Sequence, residues 1–140
     1  MKTLLVLEDE PLLMTLMRHM LRDYKVIEAA TSEEALLRFI DLDRQVDVLI
    51  TDVTLPGMSG IQVALRLRLA LPGLPVILTS GFPISDWSIR DLDDLQELGA
   101  NGAAIIQKPF QKKALLSAVC QSMEMAQPAK VRTASTAVVG

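Results

Sequence analysis

The sequence predicts an α/β fold: a doubly wound, five-stranded parallel sheet with helices on both faces. Three observations predict it. Short apolar runs recur along the chain, Leu4-Leu5-Val6-Leu7, Val48-Leu49-Ile50-Thr51, Val76-Ile77-Leu78-Thr79 and Ala104-Ile105-Ile106-Gln107, each of a length that suits a buried parallel strand. Helical patterns separate them, so that a strand-helix unit repeats five times, the arrangement of a parallel sheet covered by helices. A chemically active residue or pair follows or closes each run: Glu8-Asp9, Asp52, Ser80 and Lys108. In open α/β sheets the carboxyl ends of the strands are where ligands sit.

The elements follow in order. Residues 4–7 form the first strand, and Pro11 fits the first turn of a helix, where a missing N–H costs nothing. Leu12, Leu13, Leu16, Met17, Met20 and Leu21 recur at three- and four-residue spacing and predict the buried face of a helix reaching residue 22. A short strand at residues 26–29 comes next. Thr31 with Glu34 is a capping-box pattern for the second helix, with Ala35, Leu36, Phe39 and Ile40 inward. The third strand is residues 46–51, followed by a turn at Leu55-Pro56-Gly57-Met58. Ser59 with Gln62 opens the third helix, which Pro72-Gly73 stops. Residues 75–79 are the fourth strand. Residues 81–90 read as loop, and a short helix at 91–98 ends at Gly99. Residues 103–107 are the fifth strand, Lys108-Pro109 a turn, and residues 111–125 the last helix, with Leu115, Leu116, Val119 and Met123 inward. Beyond that the pattern dissolves, which predicts a domain of residues 1–126 and a disordered tail of residues 127–140.

Half of the 140 residues are hydrophobic and only 4% are aromatic, so the core must be aliphatic. A net charge of −3 gives no general attraction for nucleic acid. Cys120 is the only cysteine, which rules out an internal disulfide. No apolar stretch approaches the roughly 18 residues of a membrane span. The expectation is a cytoplasmic protein with neither nucleic acid nor membrane as partner. Among other residues, His19 reads as solvated or packed rather than as a ligand, and Cys120 as a small core or semi-buried residue. The set Met14, Met17 and Met20 reads as core. Trp87 reads either as a partner contact or as packed over Phe82.

At the strand ends, several carboxylates within a few ångströms repel one another, and a hard cation with oxygen ligands relieves them. Such a metal binds a phosphate oxygen and offsets its charge. A carboxylate can act as nucleophile and become an aspartyl-phosphate. Asp52, alone at the end of a central strand, is the better nucleophile candidate, and Glu8 and Asp9 the better metal-site acids. Lys108 suits a phosphate oxygen as a point charge, and Ser80 can donate a hydrogen bond to another.

These residues carry a resemblance. Leu5-Val6-Leu7-Glu8-Asp9-Glu10, Asp52-Val53-Thr54-Leu55-Pro56-Gly57-Met58-Ser59-Gly60, Leu78-Thr79-Ser80-Gly81 and Lys108-Pro109-Phe110 resemble the motifs of the response-regulator receiver domain over residues 3–125. The resemblance implies a flavodoxin-like strand order 2-1-3-4-5. It implies that Asp52 accepts a phosphoryl group from a phosphohistidine on a sensor histidine kinase or a histidine phosphotransfer protein. It implies Mg²⁺ held by Asp9, Asp52 and the backbone carbonyl of Thr54, with Glu8 acting directly or through water. Ser80 and Lys108 would contact the phosphoryl group, and the Lys108–Pro109 peptide would be cis. Output would pass to an unknown downstream protein, by contact or onward phosphotransfer, since the expected tail is too short for an output domain. A homodimer is left open. The Thr79-Ser80-Gly81 form is similar to that of receivers attached to kinases.

Two departures bear on readout. The aromatic residue that receivers usually carry three positions before the lysine is Ile105 here, and the segment from Ser80 to Lys108 is several residues longer than is usual. Phe82, two positions after Ser80, offers no hydrogen bond to an attacking water, so self-dephosphorylation is expected to be slow. Two other readings compete. One is a docking or dimerisation module that works without phosphorylation. The other is an aspartyl-nucleophile phosphohydrolase, which would need a second aspartate where Thr54 stands. The favoured expectation is a phosphoacceptor signalling domain rather than an enzyme.

Overall fold

A computed structural model describes residues 1–99 and 103–135, with side chains as far as residue 124. Among the described residues five strands and five helices alternate: β1 (Thr3–Leu7), α1 (Pro11–Met20), β2 (Lys25–Ala29), α2 (Ser32–Asp41), β3 (Val48–Asp52), α3 (Gly60–Ala70), β4 (Val76–Ser80), α4 (Ile89–Leu98), β5 (Ala103–Gln107) and α5 (Lys112–Ser135). A single 3₁₀ turn, Ile84–Asp86, lies between β4 and α4. All four strand pairings are parallel and the order is β2-β1-β3-β4-β5. The doubly wound sheet and its order are those expected.

Side chains of a strand alternate between the two faces of its sheet, and here the alternation divides the core in two. Leu5, Leu7, Leu49, Val76 and Leu78 join residues of α2, α3 and α4, among them Phe39, Ile61, Ala64, Leu67 and Leu98. Leu4, Val6, Val48, Ile50 and Ile77 join Met14, Met17, Leu21, Leu115 and Val119 on the side of α1 and α5. Being buried on both faces explains why β1, β3 and β4 read as unbroken apolar runs.

Helix starts are set by their caps. Thr31 accepts the Glu34 N–H at 3.1 Å. Ser59 and Gln62 form a reciprocal capping box. α4 begins two residues earlier than expected because Ser88 caps it, its hydroxyl accepting the Asp91 N–H at 3.0 Å. Gly99 follows α4 with φ 88°, a conformation that suits glycine. The Lys108–Pro109 peptide is cis, as the resemblance implied.

Several expectations about helix faces need correction. In α1, Met14 and Met17 turn inward, with Leu21 just past the helix end, while Leu12 and Leu16 are exposed. In α2, Ala35 and Phe39 are buried but Ile40 is exposed. The apolar stripe on these helices is wider than the face that meets the sheet, so spacing alone places its edge a residue off. Leu115, Leu116, Val119 and Met123 do pack inward. Cys120 is exposed rather than core or semi-buried, and His19 is exposed as well. The bounds of α5 include residues 127–135 of the expected tail. Residues 136–140, and the side chains from 125 onward, lie outside the described residues. No helix among the described residues is long and apolar enough to cross a membrane.

Candidate phosphoacceptor site

The parallel sheet brings the ends of β1, β3, β4 and β5 to one edge. Glu8 follows β1 and its N–H donates to the Ala29 carbonyl of β2 at 3.0 Å, so the strand register holds it. Asp52 is the last residue of β3, paired in register with Thr79 of β4. The next N–H, that of Val53, donates to the Thr79 carbonyl at 2.9 Å. The Lys108 N–H donates to the Ser80 carbonyl at 2.7 Å, which ties the end of β5 to the end of β4.

These fixed backbones converge three acids and one cation. Carboxylate oxygens of Glu8, Asp9 and Asp52 all lie within 4.8 Å of one another. The Lys108 Nζ stands 3.0 Å from Asp52 Oδ2 and 3.1 Å from Glu8 Oε1. Glu8 is 2% exposed and Asp52 7%, whereas Asp9 is exposed. Glu8 Oε2 accepts the Glu10 N–H at 3.0 Å. Glu10 in turn caps α1, accepting the N–H groups of Leu12 and Leu13.

The protonation energetics follow from this placement. Burial holds the Glu8 carboxyl above the usual carboxylate range, and the Glu10 N–H and Lys108 only partly oppose it. Burial does the same to Asp52, against Lys108 and the Thr54 N–H, with the Asp9 charge adding to the rise. For Lys108 burial works against the charge, but Asp52 and Glu8 outweigh it and hold the ammonium above its usual value. The cluster thus carries more negative charge than one ammonium offsets, and both of its buried carboxylates are disfavoured in their charged form.

Ser80 takes a different part. It is 2% exposed, but its hydroxyl donates to the Phe82 carbonyl at 2.9 Å and accepts the Phe82 N–H at 3.0 Å. The structure therefore places Ser80 at the predicted edge with its hydroxyl bonded to its own loop. Thr54 lies exposed on the loop after β3.

One contributor escaped the sequence. Gly60, the first residue of α3, packs where a Cβ would overlap the Asp52 carbonyl oxygen and stand 2.9 Å from the Asp52 carbonyl carbon. Its N–H donates to the Val53 carbonyl at 3.0 Å. The only signal was a glycine just inside a helix start, where a better helix former would be expected. Of the two readings of Trp87 the structure supports packing, since the residue is 8% exposed within the core on the α2, α3 and α4 side. That burial rules out the reading of Trp87 as an exposed partner contact.

Residues 4–120 match the family model described as the response regulator receiver domain. Over 109 residues the chain is 35% identical to the Mycobacterium tuberculosis protein described as "Probable transcriptional regulatory protein TcrX", covering 77% of this chain and 44% of that protein. Over 103 residues it is 33% identical to the sensor kinase CckA of Brucella abortus, covering 74% of this chain and 10% of that one. The chain thus spans less than half the length of these relatives. A CheY-like receiver domain structure from Methanospirillum hungatei superposes with a TM-score of 0.78 at 22% identity, over 92% of this chain and 98% of that one, and so shares the fold.

Proposed function

We propose that this chain, which belongs to the response regulator receiver domain family, accepts a phosphoryl group on the Asp52 carboxylate. The donor would be a phosphohistidine of a sensor histidine kinase or of a histidine phosphotransfer protein. The observation that carries the reading is the Asp52 carboxylate at the end of β3 with Lys108 3.0 Å away and two further acids beside it. In the transfer, an Asp52 oxygen forms the new bond to phosphorus as the phosphorus–nitrogen bond of the donor breaks. The imidazole leaves with the electron pair and is neutralised by a proton. Lys108 is placed to offset charge on a phosphoryl oxygen as it loosens from Asp52. Ser80 supplies a hydrogen bond once its hydroxyl turns from Phe82.

The donor set fits a divalent cation. Three carboxylates against one ammonium leave an excess of negative charge at an all-oxygen site, which suits Mg²⁺. Asp9, Asp52 and the Thr54 backbone carbonyl would hold it, with Glu8 direct or through water. When bound, the ion supplies charge neutralisation for the phosphoryl oxygens. Glu8 and Asp52 would then be held ionised despite their burial. The phosphorylated chain signals to a downstream protein by contact or by onward transfer.

Incubation with Mg²⁺ and acetyl phosphate, followed by intact mass, tests the proposal. One phosphate per chain in the wild type, absent from Asp52→Ala, supports it. No uptake under any condition favours a docking module that works without phosphate. Continuous release of phosphate from phosphate esters would point to a hydrolase instead.

A further inference from the structure

The residues between β4 and α4 form a closed hydrogen-bonded unit attached to the site. Asp86 donates its N–H to the Pro83 carbonyl at 2.9 Å and Trp87 its N–H to the Ile84 carbonyl at 3.0 Å, which folds the segment back on itself. The turn brings the Trp87 indole Nε1 to 3.1 Å from the Phe82 carbonyl, five residues back. A buried indole N–H needs an acceptor, and here the acceptor is the same carbonyl that takes the Ser80 hydroxyl at 2.9 Å. A carbonyl oxygen has two lone pairs, so both are used. A serine hydroxyl has one proton, and that of Ser80 is committed to Phe82.

We propose that Trp87 is a positioning residue for Ser80: its indole keeps the Phe82 carbonyl bonded and in place when the Ser80 hydroxyl turns to the phosphoryl group. The inference rests on the phosphoacceptor reading of Asp52. Without the indole, turning Ser80 would strip the Phe82 carbonyl of both donors, and the unphosphorylated arrangement would be favoured. With it, one hydrogen bond is exchanged while the loop stays anchored to the core through the ring. The exchange changes the partners of the carbonyl on which the indole sits, so Trp87 senses the state of Asp52. Ile105, on β5 opposite Leu78 of β4, is aliphatic and 38% exposed. Coupling between the site and its surroundings thus runs through the β4–α4 segment, which carries the exposed side chains of Phe82 and Ile84 and leads into the exposed Ile89 of α4.

The test uses the full chain, which has one tryptophan, with Mg²⁺ and acetyl phosphate. Phosphate occupancy is read by intact mass and tryptophan emission in parallel. In the wild type the emission should shift in proportion to occupancy, and in Ser80→Ala the shift should be lost at matched occupancy. Trp87→Phe keeps an aromatic ring but no N–H. Its ratio of phosphorylated to unphosphorylated chain at steady state should fall about two- to tenfold, the worth of about one hydrogen bond. Unchanged emission at high occupancy in the wild type would overturn the inference. So would an equal shift in Ser80→Ala, a measurement that leaves Trp87 in place, or an unchanged ratio in Trp87→Phe. A wild type that takes up no phosphate overturns the phosphoacceptor reading, and this inference with it.

Discussion

The acidic site and the β4–α4 segment lie at the same edge of the sheet but are built in opposite ways. Glu8, Asp52 and Lys108 come from three strands far apart in sequence, and only the sheet register brings them together. The segment at residues 81–88 is held by short-range hydrogen bonds, Ser80 to Phe82, Asp86 to Pro83 and Trp87 to Phe82, and by the Trp87 ring buried in the core. A site assembled by long-range register has little freedom to drift, because moving one strand end breaks the sheet. A segment whose hydrogen bonds are short-range can exchange those partners without breaking the pairing of the strands. The proposed chemistry falls on the first kind of structure here and its proposed transmission on the second.

The contrast breaks first at Asp52. Asp52→Asn should abolish phosphate uptake, measured by mass after exposure to acetyl phosphate, and uptake retained there would place the acceptor elsewhere. The same glycine substitution made in each region then sharpens the comparison. Gly60→Ala drives a Cβ into the Asp52 carbonyl and should cost about 1–3 kcal/mol of stability as overpacking, with reduced uptake because Asp52 must move. Gly81→Ala meets nothing within 4 Å and should stay within about 0.5 kcal/mol. Denaturant midpoints separate the two, and equal costs would contradict the division.

The acidic site contributes its own pH dependence to stability. Glu8 and Asp52 have raised values in the fold, so the folded chain binds more protons than the unfolded one across that interval. Without metal, their contribution to stability is greatest below the unfolded carboxylate values. It falls as pH rises to the folded values. Lys108 is raised as well, so its stabilisation is present below its unfolded value and is lost only as pH rises through its folded value in the alkaline range. It therefore leaves the acidic window unchanged. Mg²⁺ needs the ionised carboxylates, so the rise in Tm that it causes should grow over the same interval and then level off. Melting curves with and without Mg²⁺ check this, and Glu8→Gln should flatten the dependence. The smallest expected effect on stability is at the loop. Phe82→Glu replaces a 59% exposed side chain and should change stability by no more than about 0.5 kcal/mol. It should nonetheless hasten decay of the phosphorylated form by offering a hydrogen bond to attacking water. Unchanged or slower decay would remove Phe82 as a shield.

Much of this was readable along the chain because its causes are local or periodic. Unbroken apolar runs mark β1, β3 and β4 because both their faces are covered. Thr31, Ser59 and Ser88 act on N–H groups three residues away, so helix starts are written in short stretches of sequence, although Ser88 has no Glu or Gln three residues on to mark it as a cap. The convergence of Glu8, Asp9, Asp52 and Lys108 is legible from apolar runs that put each of them at a strand end of a parallel sheet, whereas the order of the strands comes only through the resemblance of four motifs.

What the chain could not declare depends on which atoms meet across space. Whether Met14 or Leu12 faces the sheet is set by the rotation of α1 against it, since both residues lie on an apolar stripe wider than the contact. That Gly60 must lack a side chain follows from the approach of α3 to the Asp52 carbonyl. The partner of the Ser80 hydroxyl and the burial of Trp87 follow from a turn that closes on a single carbonyl. A sequence specifies propensities and periods, while exclusion of a Cβ and the sharing of one acceptor by two donors exist only once distant backbones are packed to within a few ångströms.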